Sequence, residues 1–183
     1  MVFKNSGKEN TDETLGLAIE ASKNRLIKHI VVASCSGETA LKLKLKCNDI
    51  NIVCVTHANG FEKPGQNEMT DDARTELQQS GIIVLTTTHV LSGAERGLSN
   101  RFGGIYPIEI MAHTLRMLGQ GVKVGVEIAV MALDAGLIPY NEPIIAIGGA
   151  AEGADTAIII TPAHASRILE TEIHEIICKP YKI

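Results

Sequence analysis

The stretch Val31-Val32-Ala33-Ser34-Cys35-Ser36-Gly37-Glu38-Thr39-Ala40 decides how this chain is read. A β-branched run suited to a buried strand gives way at once to small hydroxyl residues and a glycine, and a helix-compatible segment follows. Strand, small-residue turn and helix in that order aim several backbone N–H groups at one point beside a positive helix end. Such a point binds anions, above all phosphate. The stretch predicts a site for a phosphorylated small molecule and says little about chemistry.

Reading outward toward the N-terminus, Asn10 is placed to cap a first helix, with Glu13 reaching back. Leu15, Ala18, Ile19, Ser22 and Leu26 give that helix an apolar or small face, and it ends near Lys28. Ile30 to Ala33 is the strand of the opening stretch, and Ser36 is the expected N-cap of the helix after it. Leu41-Lys42-Leu43-Lys44-Leu45-Lys46 alternates with period two, which alone favours a strand. Its place between two strand signals and its Ala, Leu, Lys and Glu content favour helix, ended by Asn48-Asp49.

Toward the C-terminus, Ile50 to Val55 is a second buried strand. Thr70 caps a helix through Gln79 that Gly81 closes, and Ile82 to Leu85 is the third strand. Strand and helix repeated in this way predict a parallel sheet with right-handed crossovers. From Thr86 to Gly104 about twenty residues show no clear period, the mark of a functional loop. Pro107 opens a helix with Ile108, Met111, Ala112, Leu115 and Leu118 on its apolar face. Gly119 and Gly121 interrupt it before Val122 to Ala135, read as helix with strand as the alternative and closed by Gly136. Pro143 to Ile147 and Thr156 to Thr161 are strands joined by about eight residues, too few for a parallel crossover, so the pair is expected antiparallel. A short helix near Pro162-Ala163-His164 and a strand from Ile173 to Cys178 complete the chain. No repeat or linker divides residues 1–183, so one domain is expected.

Composition narrows the function classes. With 183 residues, 45% hydrophobic and 21% charged, the chain can bury a core. Three Tyr, three Phe and no Trp make that core aliphatic. A net charge of −4 argues against a nucleic-acid or anionic-membrane surface. No apolar run approaches the roughly 20 residues of a membrane span, and the N-terminus has no apolar signal core. Cys35, Cys47, Cys54 and Cys178 have no CxxC spacing and read as reduced thiols of a cytoplasmic protein.

In an open parallel α/β sheet the ligand crevice lies beyond the carboxyl ends of the strands. The loops there supply the candidate ligand-binding residues. The opening turn gives Ser34, Cys35, Ser36, Gly37, Glu38 and Thr39; the loop after the second strand gives Thr56, His57, Gly60 and Phe61. The later loops give Thr88, His89, Arg101, Gly103 and Gly104, then Gly148, Gly149, Asp155 and Thr156. No Walker loop or dinucleotide fingerprint is present. A phosphatase-type cysteine loop would need an Arg where Leu41 stands, so Cys35 reads as a bystander, and nothing fixes a His as base for Ser36. The histidines form no HxH or HExxH pattern, so no metal is expected. Glu127 is either a partner-satisfied core carboxylate or a site group, and Arg96 and Arg101 are either anion contacts or solvated loop residues.

Three sets of residues also carry a family resemblance. Val31 to Ala40 resembles the strand-SGxTA-helix segment of the pyruvate kinase C-terminal domain, where this turn contributes to a sugar-bisphosphate phosphate pocket. Val126 to Gly149 is similar to that domain's penultimate helix and strand, and Thr156 to Ile160 to its closing antiparallel strand. Gly7-Lys8-Glu9-Asn10-Thr11, Leu91-Ser92-Gly93-Ala94-Glu95-Arg96 and Gly153-Ala154-Asp155-Thr156-Ala157 resemble the stand-alone pyruvate kinase alpha/beta domain-like proteins. The resemblance implies an α/β fold of three layers, α/β/α, with a mostly parallel sheet and an antiparallel strand near the C-terminus. It implies no pyruvate kinase activity, because the barrel domain with the metal, phosphoenolpyruvate and nucleotide sites has no counterpart in these residues. From the stand-alone family it implies flavin mononucleotide (FMN), with its phosphate at Ser34–Thr39. Two alternatives stay open: a flavin-dependent oxidoreductase with Thr88, His89 or Glu127 near the ring, and a sugar-phosphate-sensing regulatory module acting through a homo-oligomer or a partner. Residues 87–104 and 162–183 have no matched counterpart in pyruvate kinase.

Overall fold

Alternation along the central strands divides their side chains between the two faces of one sheet. The structure is a computed structural model and describes residues 1–150 and 152–182. Its strands are β1 (Val2–Phe3), β2 (His29–Ala33), β3 (Asn51–Val55), β4 (Ile83–Leu85), β5 (Ile144–Gly148), β6 (Thr156–Thr161) and β7 (Glu172–Pro180). The helices are α1 (Thr11–Arg25), α2 (Glu38–Lys46), α3 (Asp71–Gln79), α4 (Gly93–Phe102), α5 (Pro107–Arg116) and α6 (Gln120–Asp134), with 3₁₀ turns at Lys8–Asn10 and Ala165–Glu170.

The sheet has seven strands in the order β1-β7-β6-β5-β2-β3-β4. Strands β2 to β5 run parallel, β6 is antiparallel between β5 and β7, and β1 pairs parallel with β7. Ile30, Val32, Ile52, Cys54, Ile145 and Ile147 pack with Leu15 and Ala18 of α1, Leu43 of α2 and Leu77 of α3. The intervening Val31, Val53, Val55 and Ala146 pack with Val122, Val126, Ala129 and Leu133 of α6. Each such aliphatic side chain removed from water contributes about 1.5–3 kcal/mol before conformational entropy is subtracted. Among the described residues no helix is long and apolar enough to cross a membrane.

Helical spacing settles the alternating segment. Leu43 is fully buried while Leu45 is 86% exposed, which a strand with both residues on one face could not do. The α3 cap is as expected, with Thr70 Oγ1 accepting from the Ala73 N–H at 3.2 Å.

Other expectations are corrected. Ser36 is not the cap of α2: Gly37 holds that position at φ 90°, and Ser34 Oγ accepts its N–H at 3.1 Å. Asn10 makes no side-chain cap on α1; its Nδ2 donates instead to the Asn5 and Gly7 carbonyls. The segment Thr86 to Gly104 is not all loop, because α4 lies inside it. Strand β1 was too short to give a periodic signal, although Phe3 is buried and the Tyr181 N–H donates to its carbonyl. Strand β7 extends past Cys178 to Pro180.

The α6 glycines have a packing reason rather than a turn reason. A Cβ on Gly121 would lie 2.4 Å from the Thr156 Cβ, and one on Gly125 would lie 2.9 Å from the Ile158 Cδ1. Gly16 in α1 meets nothing within 4 Å. Gly121→Ala should therefore destabilise the protein by about 1–3 kcal/mol through overpacking. Gly16→Ala should stabilise by roughly 0.5–1 kcal/mol through helix propensity. Urea unfolding of the two variants checks both signs.

Candidate functional site at the carboxyl rim of the sheet

Strand β2 ends at Ala33, and the chain must turn sharply to enter α2. Ser34 is tied down by its N–H to the Val55 carbonyl at 3.0 Å, and its hydroxyl takes the Gly37 N–H. A side chain at Gly37 would be strained, since its φ is positive and a Cβ would lie 2.9 Å from the Leu77 Cδ1. Ser36 is left exposed at the tip, its Oγ accepting from the Glu38 N–H at 3.4 Å.

This turn opens on a cavity of about 610 Å³ lined by Ser34, Cys35, Ser36, Glu38, Thr39, Lys42, His57, Glu68, Gly149 and Gly153, with Lys8 and Thr11 at one side. Glu38 bridges Lys42 at 2.9 Å and Lys8 at 3.1 Å. The Lys42 ammonium first, then that of Lys8, holds the Glu38 carboxyl below the usual range, and Glu38 in turn raises Lys42.

A second cavity of about 280 Å³ is lined by Val55, Thr56, His57, Phe61, His89, Arg96, Arg116, Lys123 and Glu127. Ala33, Cys35, His57, Gln120 and Val124 line both. The His57 and Phe61 rings stack at 3.8 Å, and His89 is tilted 5.4 Å from Phe61 and 5.5 Å from His57. Burial keeps the His89 pKa below its ordinary value despite the opposing pull of Glu127. A third hollow of about 630 Å³ between Asn59 and Thr86 is as large, but it has none of the turn residues in its wall, so it is not the crevice that the β2 turn builds.

At the foot of the second cavity, α6 carries a buried ion pair. Lys123 Nζ donates to Glu127 Oε2 at 2.5 Å, with both side chains about 95% buried, and Glu127 Oε1 accepts the Leu91 N–H at 2.9 Å. Burial, the largest effect, lowers the Lys123 pKa against the opposing attraction of Glu127. Glu127 is thus both a satisfied core carboxylate and a cavity wall.

Residues 12–160 match the family model described as the pyruvate kinase alpha/beta domain. The chain belongs to this family. Among solved structures it is similar to a pyruvate kinase of Cryptosporidium parvum, at 13% identity and a TM-score of 0.42 over 76% of this chain and 20% of that one. Another structure of Cryptosporidium parvum pyruvate kinase, in complex with ADP, matches at 15% identity and TM-score 0.42 over 81% and 22%. The chain spans about a fifth of the length of these enzymes.

Within this pyruvate kinase alpha/beta domain the expected site residues fall into groups. Ser34, Cys35, Ser36, Glu38, Thr39, His57 and Gly149 line the first cavity; Thr56, His57, Phe61 and His89 line the second. Gly60, Thr88, Arg101, Gly103 and Gly104 line neither. Gly60 closes its own loop by donating to Gln66, and Gly103 and Gly104 sit exposed after α4. Gly148 serves packing, since a Cβ there would lie 2.8 Å from the Gly121 carbonyl oxygen. Asp155 and Thr156 are struts: Asp155 Oδ2 accepts from the Gly7 and Ala150 N–H groups, and Oδ1 accepts from the Thr156 hydroxyl. Ala151 of the same loop lies outside the described residues.

The residues that sequence reasoning missed are Lys8, Lys42, Glu68, Arg116 and Lys123. Only Lys123 had a readable signal, its spacing of four from Glu127 on one helix face. Cys35 was read as a bystander and no metal-type cluster was expected. The structure brings the Cys35 Sγ, a His57 nitrogen and a Glu68 carboxylate oxygen within 4.8 Å of one another.

Glu127→Ala should cost about 3–5 kcal/mol, because it leaves the Lys123 ammonium buried and unpaired. Replacing both residues by Met should recover most of that loss in urea unfolding. The His57 pKa is raised from 6.5 to about 9 by the contact with Cys35, then by Glu68, against burial. A bound proton therefore stabilises the fold: the contribution is complete below about 6.5 and is lost as pH rises through about 9. Unfolding midpoints between those pH values should fall for the wild type and change less for His57→Gln.

Proposed function

We propose that this domain binds a phosphorylated small molecule, FMN in first place, with the phosphate at the Ser34–Thr39 turn and the ring toward the second cavity. The observation that carries the reading is the position of the turn. A glycine-pinned helix N-terminus opens directly on the 610 Å³ cavity, with Lys8 and Lys42 at its mouth. Backbone N–H groups and ammonium groups are the donors that phosphate oxygens use. The His57, Phe61 and His89 rings in the adjoining cavity supply flat faces for an aromatic ligand, which favours a flavin over a sugar phosphate. A flavin-dependent oxidoreductase would use the same cavity, with His89 and Glu127 beside the ring. The reading assigns no pyruvate kinase chemistry to these residues. Four free cysteines fit a reducing compartment, so we place the protein in the cytoplasm.

Fluorescence titration tests the reading. FMN should quench on binding and riboflavin should bind about tenfold or more weakly, since the phosphate contributes at least about 1.4 kcal/mol. Ser36→Asp, which sets a carboxylate where the phosphate would lie, should weaken FMN by a similar factor. Equal binding of the two flavins, or an unchanged Ser36→Asp affinity, overturns the phosphate assignment. Tight fructose bisphosphate binding with no flavin affinity would instead select the sugar-phosphate-sensing module.

A further inference from the structure

The four cysteines differ sharply in their surroundings. Cys54 is fully buried, donates to the Ser34 carbonyl at 3.6 Å and has its thiol pushed up to about 12 by burial. Burial likewise raises Cys178 and Cys47, and the Cys47 thiol donates to the Leu43 carbonyl. Cys35 is half-buried in the wall shared by both cavities.

Beside it, His57 is held by contacts on several sides. Its Nδ1 lies 2.8 Å from Glu68 Oε1, its ring stacks on Phe61, and its carbonyl accepts from both the Thr56 hydroxyl and Asn67 Nδ2 at 2.8 Å. The Glu68 contact at Nδ1 orients the ring, and a ring nitrogen lies within 4.8 Å of the Cys35 Sγ. A thiol, an imidazole beside it and a carboxylate that orients the imidazole are the parts of an activated nucleophile. The same donors could hold a zinc-class cation, but the 2.8 Å contact spends His57 Nδ1 and Glu68 on each other.

We propose that Cys35 is a nucleophilic thiol, served by His57 and oriented through Glu68, that bonds covalently to an electrophilic carbon of a small molecule in the shared cavity. The proton shared by Sγ and His57 rests on the His57 ring, and the Sγ electron pair forms the S–C bond. On a carbonyl carbon the C=O π pair moves to oxygen, which then takes the proton from His57. On an alkyl halide the carbon–halogen bond breaks, the halide leaves with that pair, and His57 keeps the proton. The raised His57 pKa agrees with this pairing, since Cys35 is its largest cause. The groups facing His57 are Cys35 from the β2 turn, Glu68 from its own loop and His89 from the segment after β4.

Iodoacetamide is the probe, with mass spectrometry locating the label in the folded protein. It carries no phosphate; FMN lying across the shared wall would cover Cys35, so labelling is read on flavin-free protein, where it does not depend on FMN binding. Cys35 should be alkylated about tenfold or more faster than Cys47, with Cys54 and Cys178 unlabelled. His57→Gln should slow Cys35 by about tenfold, and Glu68→Gln should slow it less. By NMR, the His57 titration midpoint should lie near 9 in the wild type and fall toward 6.5 in Cys35→Ser. Labelling of Cys47 first, an unchanged Cys35 rate in a folded His57→Gln, or an unmoved His57 midpoint overturns the proposal. Should His57→Gln not fold, the Cys35→Ser titration decides alone.

Discussion

Helix α6 lies so close to β5 and β6 that a Cβ at Gly121, Gly125 or Gly148 would come within 3.0 Å of a neighbouring atom, and the rest of the rim depends on that approach. Two glycines inside a helix weaken it intrinsically, and packing against Thr156 and Ile158 offsets the loss. The approach also fixes where the next turns of α6 point. Gln120 and Val124 reach both cavities, and Lys123 and Glu127 close the floor of the smaller one. A helix set one side chain farther out would leave that floor open to water. The Lys123–Glu127 pair would then lose the low-dielectric surroundings that make its geometry matter.

The two cavities differ in chemistry as well as size. The larger is bounded by the helix N-terminus, lysines and carboxylates; the smaller by rings, aliphatic side chains and arginines. Their common wall is Ala33, Cys35, His57, Gln120 and Val124, so a ligand spanning both cavities would cross it. The carboxylates impose a condition on that passage. Glu38 already engages both lysines at the mouth, so an incoming anion competes with it for them.

Much of this could be read from the chain because local signals bound most strands and helices, even where the alternation in α2 and at the start of α6 pointed to strand. Thr70, Gly81, Pro107 and Gly136 act where local chemistry puts them, and the short β5–β6 connection forces the antiparallel pair. What escaped was decided at a distance. Strand β1 exists because β7 offers it an edge, and Gly37, packed close to Leu77 of another helix, holds the cap position expected for Ser36. Glu68 sits in a polar loop with no period, and only the fold carries it to His57. The expected loop residues at 101, 103 and 104 failed to reach the cavities because α4 occupies the space their loop was assumed to have.

The outermost strands are the shortest in the sheet: β1 has two residues and β4 three. A sheet edge grows into a neighbour's sheet only by offering a run of unpaired N–H and C=O groups. The β4 edge offers three residues, with Ile83 its one exposed large apolar side chain, whereas β1 covers β7 only at Lys179 and Pro180. Extension of the sheet from copy to copy is therefore restricted at the β4 end, while at the other end β7 before Lys179 has an outer edge that β1 does not cover. The aliphatic strands β2 and β5 stay in the middle, paired on both sides.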